Sequence, residues 1–321
     1  MIFICRRTAL VCALFAGHFA AAALAQDYPA KPIRIMVGGG PDNAARILGQ
    51  KLTDAWGQQV IIDNRPGAGG QIAADMVAKG APDGHLLLMF TTTHTISAAL
   101  QLGIYDLMRD FAPVIVYSCT PEILVVHPSL PVRSVKELIA LARARPGQIN
   151  YASSGNGTPV HLAGEMFRHM AGIDIVHVPY KGAAPATIDV IGGQVQMMFP
   201  VAPGILPQMQ TGKVRALAVT TAQRSRLAPA LPTMAESGLP GFEVTGCNGL
   251  LAPVKTPRTI IDKLNAQVAR DLKLADVVQR ITSAGYEPME SATTPELAAA
   301  FIKSEIAKWA KLVKETGAKI D

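Results

Sequence analysis

The stretch Ile149-Asn-Tyr-Ala-Ser-Ser-Gly-Asn-Gly-Thr-Pro159 joins an apolar segment to the start of a helix through a glycine-rich loop. Ile149–Ala152 is predicted to be a buried strand. Thr158 and Pro159 pair a capping residue with a proline at the first helical position, which is typical of a helix N-terminus. The stretch therefore predicts a strand, a loop and a helix in direct succession, as in α/β proteins.

The same alternation extends in both directions along the chain. Eight short runs rich in β-branched residues or leucine alternate with helical segments, and each run is apolar on both faces. They are Ile33–Val37, Val60–Asp63, Leu86–Phe90, Ile123–His127, Ile149–Ala152, Ile175–Val178, Val195–Phe199 and Val214–Thr220. Such runs are typical of mostly parallel sheets covered by helices on both faces. From Thr256 to Gly317 the pattern is purely helical and predicts a C-terminal helical layer, with Leu297, Phe301, Trp309 and Val313 on one face.

Residues 1–25 have the three-part layout of a cleaved signal peptide. Arg6 and Arg7 precede an apolar run over Ala9–Leu24, and the segment ends in an Ala-Leu-Ala triplet. Because the run is short for a helix that must cross ~30 Å of hydrocarbon, cleavage after Ala25 is favoured over an uncleaved anchor. We expect a soluble, exported protein.

The remaining chain of about 296 residues is too long for one compact core and fits two domains with a cleft between them. The whole sequence carries 30 Lys and Arg against 24 Asp and Glu. This surplus is spread along the chain, without the basic runs or interleaved aromatics that nucleic-acid binding requires. We therefore expect a small anion as the partner and no nucleic acid.

Two cysteines, Cys119 and Cys247, remain after the signal segment. In an oxidising compartment they can form one disulfide, and two independent buried thiols are the alternative. Their spacing excludes a zinc ribbon, and no histidine-rich cluster accompanies them, so we expect no metal site.

Two glycine-containing loops precede predicted helices, one in each half of the chain. They are Gly38–Asn43, after the strand Ile33–Val37, and Ser153–Thr158. Free N–H groups and the helix dipole make a helix N-terminus a site for a carboxylate, and glycines let a ligand approach the backbone. Plain turn chemistry is the alternative for each loop.

A serine hydrolase is the catalytic alternative, because Ser154 lies close in sequence to His161. However, the chain lacks a Gly-x-Ser-x-Gly elbow, and His161 falls about one turn into the helix after Thr158. Neither glycine loop is followed by the Gly-Lys-Ser/Thr of a P-loop. We therefore expect a binding protein and no enzyme.

Motifs along nearly the whole mature chain resemble one family. They are Tyr28–Ile33, Asn64–Gly70, Pro82–Gly84, Asp110–Val114, Tyr151–Thr158, His161-Leu162, Val178–Gly182, Gly192–Val195, Gly212–Thr220 and Gly238–Phe242. In this order they resemble the Bug-type receptors, the substrate-binding proteins of tripartite tricarboxylate transporters.

The resemblance implies a type II periplasmic-binding-protein fold, in which two α/β domains are joined by two crossing strands. The crossings are expected near Val116–Leu124 and Val244–Leu251. Domain 1 is then Gln26–Cys119 plus Gly246–Asp321, and domain 2 is Thr120–Thr245.

The same resemblance implies a monomeric periplasmic receptor that holds a small carboxylate through backbone amides, small polar side chains and water, with no metal or cofactor. Its further partners would be the membrane subunits of a tripartite tricarboxylate-type transporter. Presentation of the ligand to a membrane sensor is the alternative. Dicarboxylates, tricarboxylates, amino acids, aromatic acids and nicotinate-like compounds all remain candidate ligands.

Twelve residues are expected at the ligand site, ten from matched motifs and two, Thr92 and His94, from their position after a strand end. The full set is Gly39, Gly40, Asp42, Thr92, His94, Ser153, Gly155, Asn156, Gly157, Thr158, Tyr180 and Lys181. Asp42 is alternatively a helix cap, and Lys181 a solvated surface charge. For His161 a structural hydrogen bond to the loop is favoured over ligand contact.

Two departures from the family pattern lie near this site. Val37 is followed at once by Gly38, where the family usually has Pro-Phe-x-Pro, and Pro200 stands where the family often has Asp. These departures predict a more open cleft and a changed ligand preference.

Overall fold

The computed structural model describes residues 28–38, 42–102, 104–289 and 294–317. Within these ranges, five strands form a first sheet. They are β1 (Ile33–Val37), β2 (Val60–Asn64), β3 (Leu86–Thr91), β4 (Phe111–Pro121) and β10 (Thr245–Pro253). Their spatial order is β2-β1-β3-β10-β4. β1 pairs in parallel with β2 and β3, whereas β10 is antiparallel to β3 and β4.

Five further strands form a second sheet. They are β5 (Ile123–Val126), β6 (Asn150–Ser153), β7 (Val176–Pro179), β8 (Met197–Met198) and β9 (Arg215–Val219). Their spatial order is β7-β6-β8-β5-β9. β6 is parallel to β7 and β8, and β5 is antiparallel to β8 and β9.

Ten α-helices within the described ranges cover the two sheets. They are α1 (Asn43–Trp56), α2 (Gln71–Ala78), α3 (Thr92–Ala99), α4 (Val135–Ala144), α5 (Pro159–Ala171), α6 (Ala183–Ile191), α7 (Ala202–Gln210), α8 (Arg258–Asp271), α9 (Ala275–Ser283) and α10 (Pro295–Thr316). None of these helices combines the length and apolarity that crossing a membrane requires.

Each sheet is buried on both faces. In β1, Ile33 and Ile35 pack with α1, α8 and α9, whereas Met36 packs on the opposite face with α2 and α10. In the second sheet, Leu124 faces a cluster with α4 and α5, and Val125 faces α6 and α7. Helices on both faces explain why the strands are apolar without alternation.

The chain crosses between the sheets at two adjacent places. β4 passes directly into β5 with only Glu122 between them. The return crossing runs from Val244 into β10, where Thr245 is opposite Pro121. A disulfide joins Cys119 to Cys247 on the neighbouring strands β4 and β10, so the question that the sequence left open is answered by a bridge beside the crossings.

Helix α10 contacts the cores of both sheets. Its residues Ala298 and Ile302 are buried against the first sheet, while Trp309 and Leu312 are buried in the main cluster of the second. This face differs from the predicted one, because Leu297 is exposed. The buried residues of α10 are spaced by four and three positions, so they lie on one face of the helix, which is turned toward the core.

The α/β class with two sheets is confirmed, and each of the eight predicted runs overlaps a strand. The prediction of mostly parallel pairing was wrong for the strands at the crossings. β5 and β10 are antiparallel to their neighbours, because the chain passes from one sheet to the other through them.

Candidate ligand-binding cleft

A cavity of about 810 Å³ lies between the two sheets and is lined by residues from both. Its floor includes residues at the crossings, namely Thr120, Glu122, Gly246 and Cys247. Loops that follow strand ends form its walls, as expected for ligand sites in α/β sheets.

Five helices begin at this cavity. The N-cap residues of α2, α3, α5, α6 and α7 all line it, and they are Gly70, Thr91, Thr158, Gly182 and Val201. The first N–H groups of a helix have no partner within that helix, and the helix dipole adds partial positive charge there. The cleft is therefore suited to an anion, although Lys181 is the only Lys or Arg among its described lining residues.

The loop before α5 is built as the sequence predicts, but only part of it reaches the cavity. Thr158 lines the cavity and caps α5, because its hydroxyl accepts from the N–H of His161 (3.3 Å) and donates to the carbonyl of Gly155 (2.8 Å). Positive φ angles of 129° at Gly155 and 70° at Gly157 make the turn, a conformation that favours glycine. These two glycines and Asn156 are not among the lining residues.

Ser153 supports this loop from beneath. Its side chain is buried, and its hydroxyl lies 2.6 Å from Nε2 of His177 and accepts from the N–H of Gly155 (3.1 Å). The adjacent Ser154 lines the cavity instead. Neighbouring residues in a loop point in different directions, so the sequence predicted the loop without showing which serine faces the cavity.

His161 packs into the protein beside this loop. Its Nδ1 accepts from the N–H of Gly157 (3.2 Å), and its ring stacks on His177 with 4.0 Å between centroids. Burial lowers the pKa of His161, which keeps the ring neutral. This is the structural role that the sequence favoured. His161 is not among the lining residues, although Ser154 is.

Thr92 and His94 lie at the start of α3 and line the cavity. Thr92 connects α3 to β10, because its hydroxyl accepts from the N–H of Cys247 (2.8 Å) and donates to the carbonyl of Thr245 (3.1 Å). Nδ1 of His94 accepts from the N–H of Thr91 (3.0 Å), which leaves the ring proton on Nε2. Burial lowers the pKa of His94 to about 4. His94 is therefore a neutral donor at neutral pH.

Asp42 and Tyr180 use their side chains within the protein and are not lining residues. The carboxylate of Asp42 accepts from Arg46 (2.6 Å) and from Asn64 (3.2 Å). It occupies the N-cap position of α1, the alternative that the sequence offered, although its side chain makes no capping hydrogen bond. The hydroxyl of Tyr180 donates to Asp189 (2.6 Å).

Of the expected first loop, Gly39 and Gly40 lie outside the described residues, whereas Gly38 lines the cavity. Gly38 packs closely against Gly70, since a Cβ on Gly38 would lie 2.3 Å from the Cα of Gly70. A side chain at position 38 would therefore push apart two segments on the first-sheet side of the cleft, the end of β1 and the start of α2.

Pro200 also lines the cavity, and its carbonyl accepts from the N–H of Ile123 (2.9 Å).

Two further residues that line the cavity were not predicted from the sequence. Tyr286 lines the cavity with a buried hydroxyl that has no partner among the described residues. Glu122 lines the floor, and burial raises the pKa of its carboxyl well above the ordinary value. The sequence could have pointed to Glu122, because it is the one charged residue within the predicted first crossing, Val116–Leu124.

Two α/β units, two adjacent crossings and a cleft bordered by helix N-termini define the class of solute-binding proteins. Residues 44–318 match the family described as the tripartite tricarboxylate transporter family receptor, and the chain belongs to that family. The solved structures that it resembles include the periplasmic binding protein BugD, which agrees with the resemblance seen in the motifs.

Relatives of known sequence and structure cover most of the chain. The protein BugT of Bordetella pertussis is 38% identical over 308 residues, which are 94% of each chain. A Rhodopseudomonas palustris protein solved with adipate is 37% identical, covers 91% of this chain and 99% of its own, and has a TM-score of 0.83. MatC of the same organism, solved with bound malate, is 32% identical, covers 89% of this chain and all of its own (100%), and has a TM-score of 0.79.

Proposed function

We propose that this protein is a periplasmic receptor that binds a small carboxylate in the cleft and delivers it to a membrane transporter of the tripartite tricarboxylate type. The observation that carries the proposal is the start of five helices at one cavity. Their N-terminal N–H groups and dipoles favour a carboxylate over a neutral or cationic solute. The relatives solved with adipate and malate support this ligand class.

We propose further that the receptor binds its ligand without catalysis and without a metal or cofactor. Ser154 faces the cavity, whereas His161 is turned toward the loop and toward His177. A serine nucleophile needs a base within hydrogen-bond reach. The contacts of His161 do not supply one.

The two crossings support a division into 26–119 plus 246–321 as one domain and 120–245 as the other. The monomeric state is part of the proposal and is implied by the family resemblance alone. A ligand that contacts both walls would draw the domains together around it. Exclusion of water then strengthens the contacts between the carboxylate and the oriented N–H groups.

A thermal-unfolding screen of the mature protein against organic acids and amino acids tests carboxylate capture. A ligand at about 100 times its Kd adds about 2.7 kcal/mol of stability, so one class of carboxylate should raise the Tm clearly. The methyl ester of each acid is the matched control and should leave the Tm unchanged. Failure of every acid in the panel would contradict the proposal. The ester samples also report hydrolysis, which should not exceed that in buffer.

Export and transport need separate tests. Intact mass of protein recovered from the periplasm should correspond to a chain that begins at Gln26, and retention of residues 1–25 would contradict cleavage.

Uptake of the labelled ligand by cells should be lost when the receptor gene is deleted and should be restored when the gene is returned. Unchanged uptake would favour presentation to a membrane sensor.

A further inference from the structure

Glu122 occupies the junction between β4 and β5, and hydrogen bonds fix its backbone there. Its N–H donates to the hydroxyl of Thr220 (2.9 Å), and its carbonyl accepts from the N–H of Thr220 (3.0 Å). The next N–H along the chain, of Ile123, donates to the carbonyl of Pro200. These bonds fix Glu122 to the end of the second sheet, through the residues that follow β8 and β9.

The carboxyl group of Glu122 has no partner among the residues that the structure describes. The residue is completely buried (0% exposed), and neither Oε1 nor Oε2 makes a hydrogen bond there. Desolvation is the sole cause of its raised pKa, so no charged neighbour compensates it. A buried carboxylate requires a paired charge or a proton.

Thr120, two residues before Glu122 in the chain, carries a second buried oxygen without a partner among the described residues. Thr120 also lines the cavity. Residues two apart in an extended chain project to the same side. The cavity floor therefore presents several oxygen acceptors next to each other, while the helix N-termini present donors on the walls.

We propose that Glu122 determines ligand specificity by pairing with an ammonium group, so that the ligand is an amino acid or another carboxylate that carries an amine. This inference rests on the proposed function, because it concerns the ligand of the same cleft. An ammonium group has three donors and no acceptor, and it can serve both oxygens of Glu122 together with the hydroxyl of Thr120. Its positive charge also compensates the buried carboxylate.

A second carboxylate on the ligand fits this floor less well. If Glu122 is ionised, the two carboxylates repel each other. If Glu122 is protonated, its single O–H can donate to the ligand, but its other oxygen still lacks a donor, because a carboxylate has none. In the proposed arrangement, the helix N-termini and Lys181, which line the walls, serve the one carboxylate that both ligand types share.

Calorimetry with ligand pairs of the same carbon skeleton tests the inference on the unaltered protein. Aspartate is compared with succinate, and glutamate with glutarate. The amine should tighten binding by roughly 10- to 100-fold, as expected for a hydrogen bond to a charged group. Equal affinity within each pair, or preference for the diacid, would overturn the role of Glu122 while leaving carboxylate capture intact. Absence of binding by any acid would instead contradict the proposed function.

The variant Glu122→Gln keeps the shape and removes the negative charge. It should lose the preference for the amine while retaining diacid binding, and Glu243→Gln, the same change at an exposed site, should behave as wild type. An amine preference that survives in Glu122→Gln, with an unchanged Tm, would overturn the inference.

Proton release provides a readout that needs no variant. A protonated Glu122 must pass its proton to the buffer when it pairs with an ammonium group, whereas diacid binding requires no such release. Calorimetry in buffers of different ionisation enthalpy should show proton release for the amino acids alone, increasing from pH 8 to pH 6. The other titratable groups lining the cavity are His94, Lys181 and Tyr286. Absence of release together with an unaffected amine preference in Glu122→Gln would exclude the pairing.

Discussion

The hydroxyl of Thr220 lies between the two crossings and bonds to both. It accepts from the N–H of Glu122 (2.9 Å) and donates to the carbonyl of Val244 (2.6 Å). One buried side chain thus connects the outgoing and returning chain segments.

The change Thr220→Val keeps the shape of the side chain and removes its hydroxyl. A buried N–H and a buried carbonyl would each lose a partner, so we expect a loss of about 1–3 kcal/mol in the free energy of unfolding. Thr221→Val is the control, since its hydroxyl bonds only the carbonyl of Gln223 at an exposed turn, and it should cost less than about 0.5 kcal/mol. Urea unfolding measures both, and equal losses would remove the special role of Thr220.

The disulfide Cys119–Cys247 should contribute to stability because it closes a long loop. The two cysteines are 128 residues apart in sequence, and cross-links over such loops restrict the unfolded chain at a gain of about 2–5 kcal/mol. A reductant should therefore lower the midpoint of urea unfolding. The double variant Cys119→Ala with Cys247→Ala should start from the lower midpoint and be insensitive to the reductant. A midpoint unaffected by reduction, with free thiols detected, would contradict the expectation.

Acid should destabilise the protein partly through His94. Its pKa is about 4 when folded and 6.5 when exposed, so between these values the unfolded chain binds a proton that the folded chain does not. Stability then falls as the pH drops from 6.5 to 4, by up to about 3 kcal/mol from this residue. His94→Gln should show a weaker loss in urea unfolding across that window. His169→Gln, an exposed control, should follow wild type, and equal slopes for all three proteins would contradict the burial effect.

Thr158 is expected to affect both stability and binding, whereas an equivalent cap elsewhere should affect stability alone. Thr158 and Thr294 both cap a helix with proline at its first position, and each accepts one N–H bond, from His161 and Leu297 respectively. Replacement of either by Val should cost about 0.5–2 kcal/mol of stability. Only Thr158→Val should also weaken ligand binding, because its helix begins at the cleft. Thr158→Ser should restore both properties, and equal binding by the two Val variants would exclude a role in the site.

Local patterns were sufficient to predict most strands and the loop before α5. Runs such as Ile33–Val37 are apolar because helices cover both faces of the sheets, and this property is visible in a short window of sequence. The long strands β4 and β10 were located through family resemblance alone. Their mutual pairing joins residues such as Cys119 and Cys247, which are far apart in the chain, and no local pattern records such a pairing.

At the candidate cleft, the sequence placed loops better than individual side chains. Thr92, His94, Thr158 and Lys181 line the cavity, and their contact with a ligand stays a prediction. Ser153 and Tyr180 belong to the same segments but bond to His177 and Asp189. The direction of each side chain depends on backbone angles set by contacts between distant segments, which composition and spacing do not reveal.

Helix α10 is a structural element that the two halves of the molecule share. This one helix of 22 residues packs through Ile302 into the core of one half and through Trp309 into the core of the other. A sliding displacement of one half against the other would therefore break the packing of Ile302 or of Trp309. A chain shortened before Trp309 would lose the packing of α10 in the second half, and the crossing strands and the remaining helix contacts would then join the two halves.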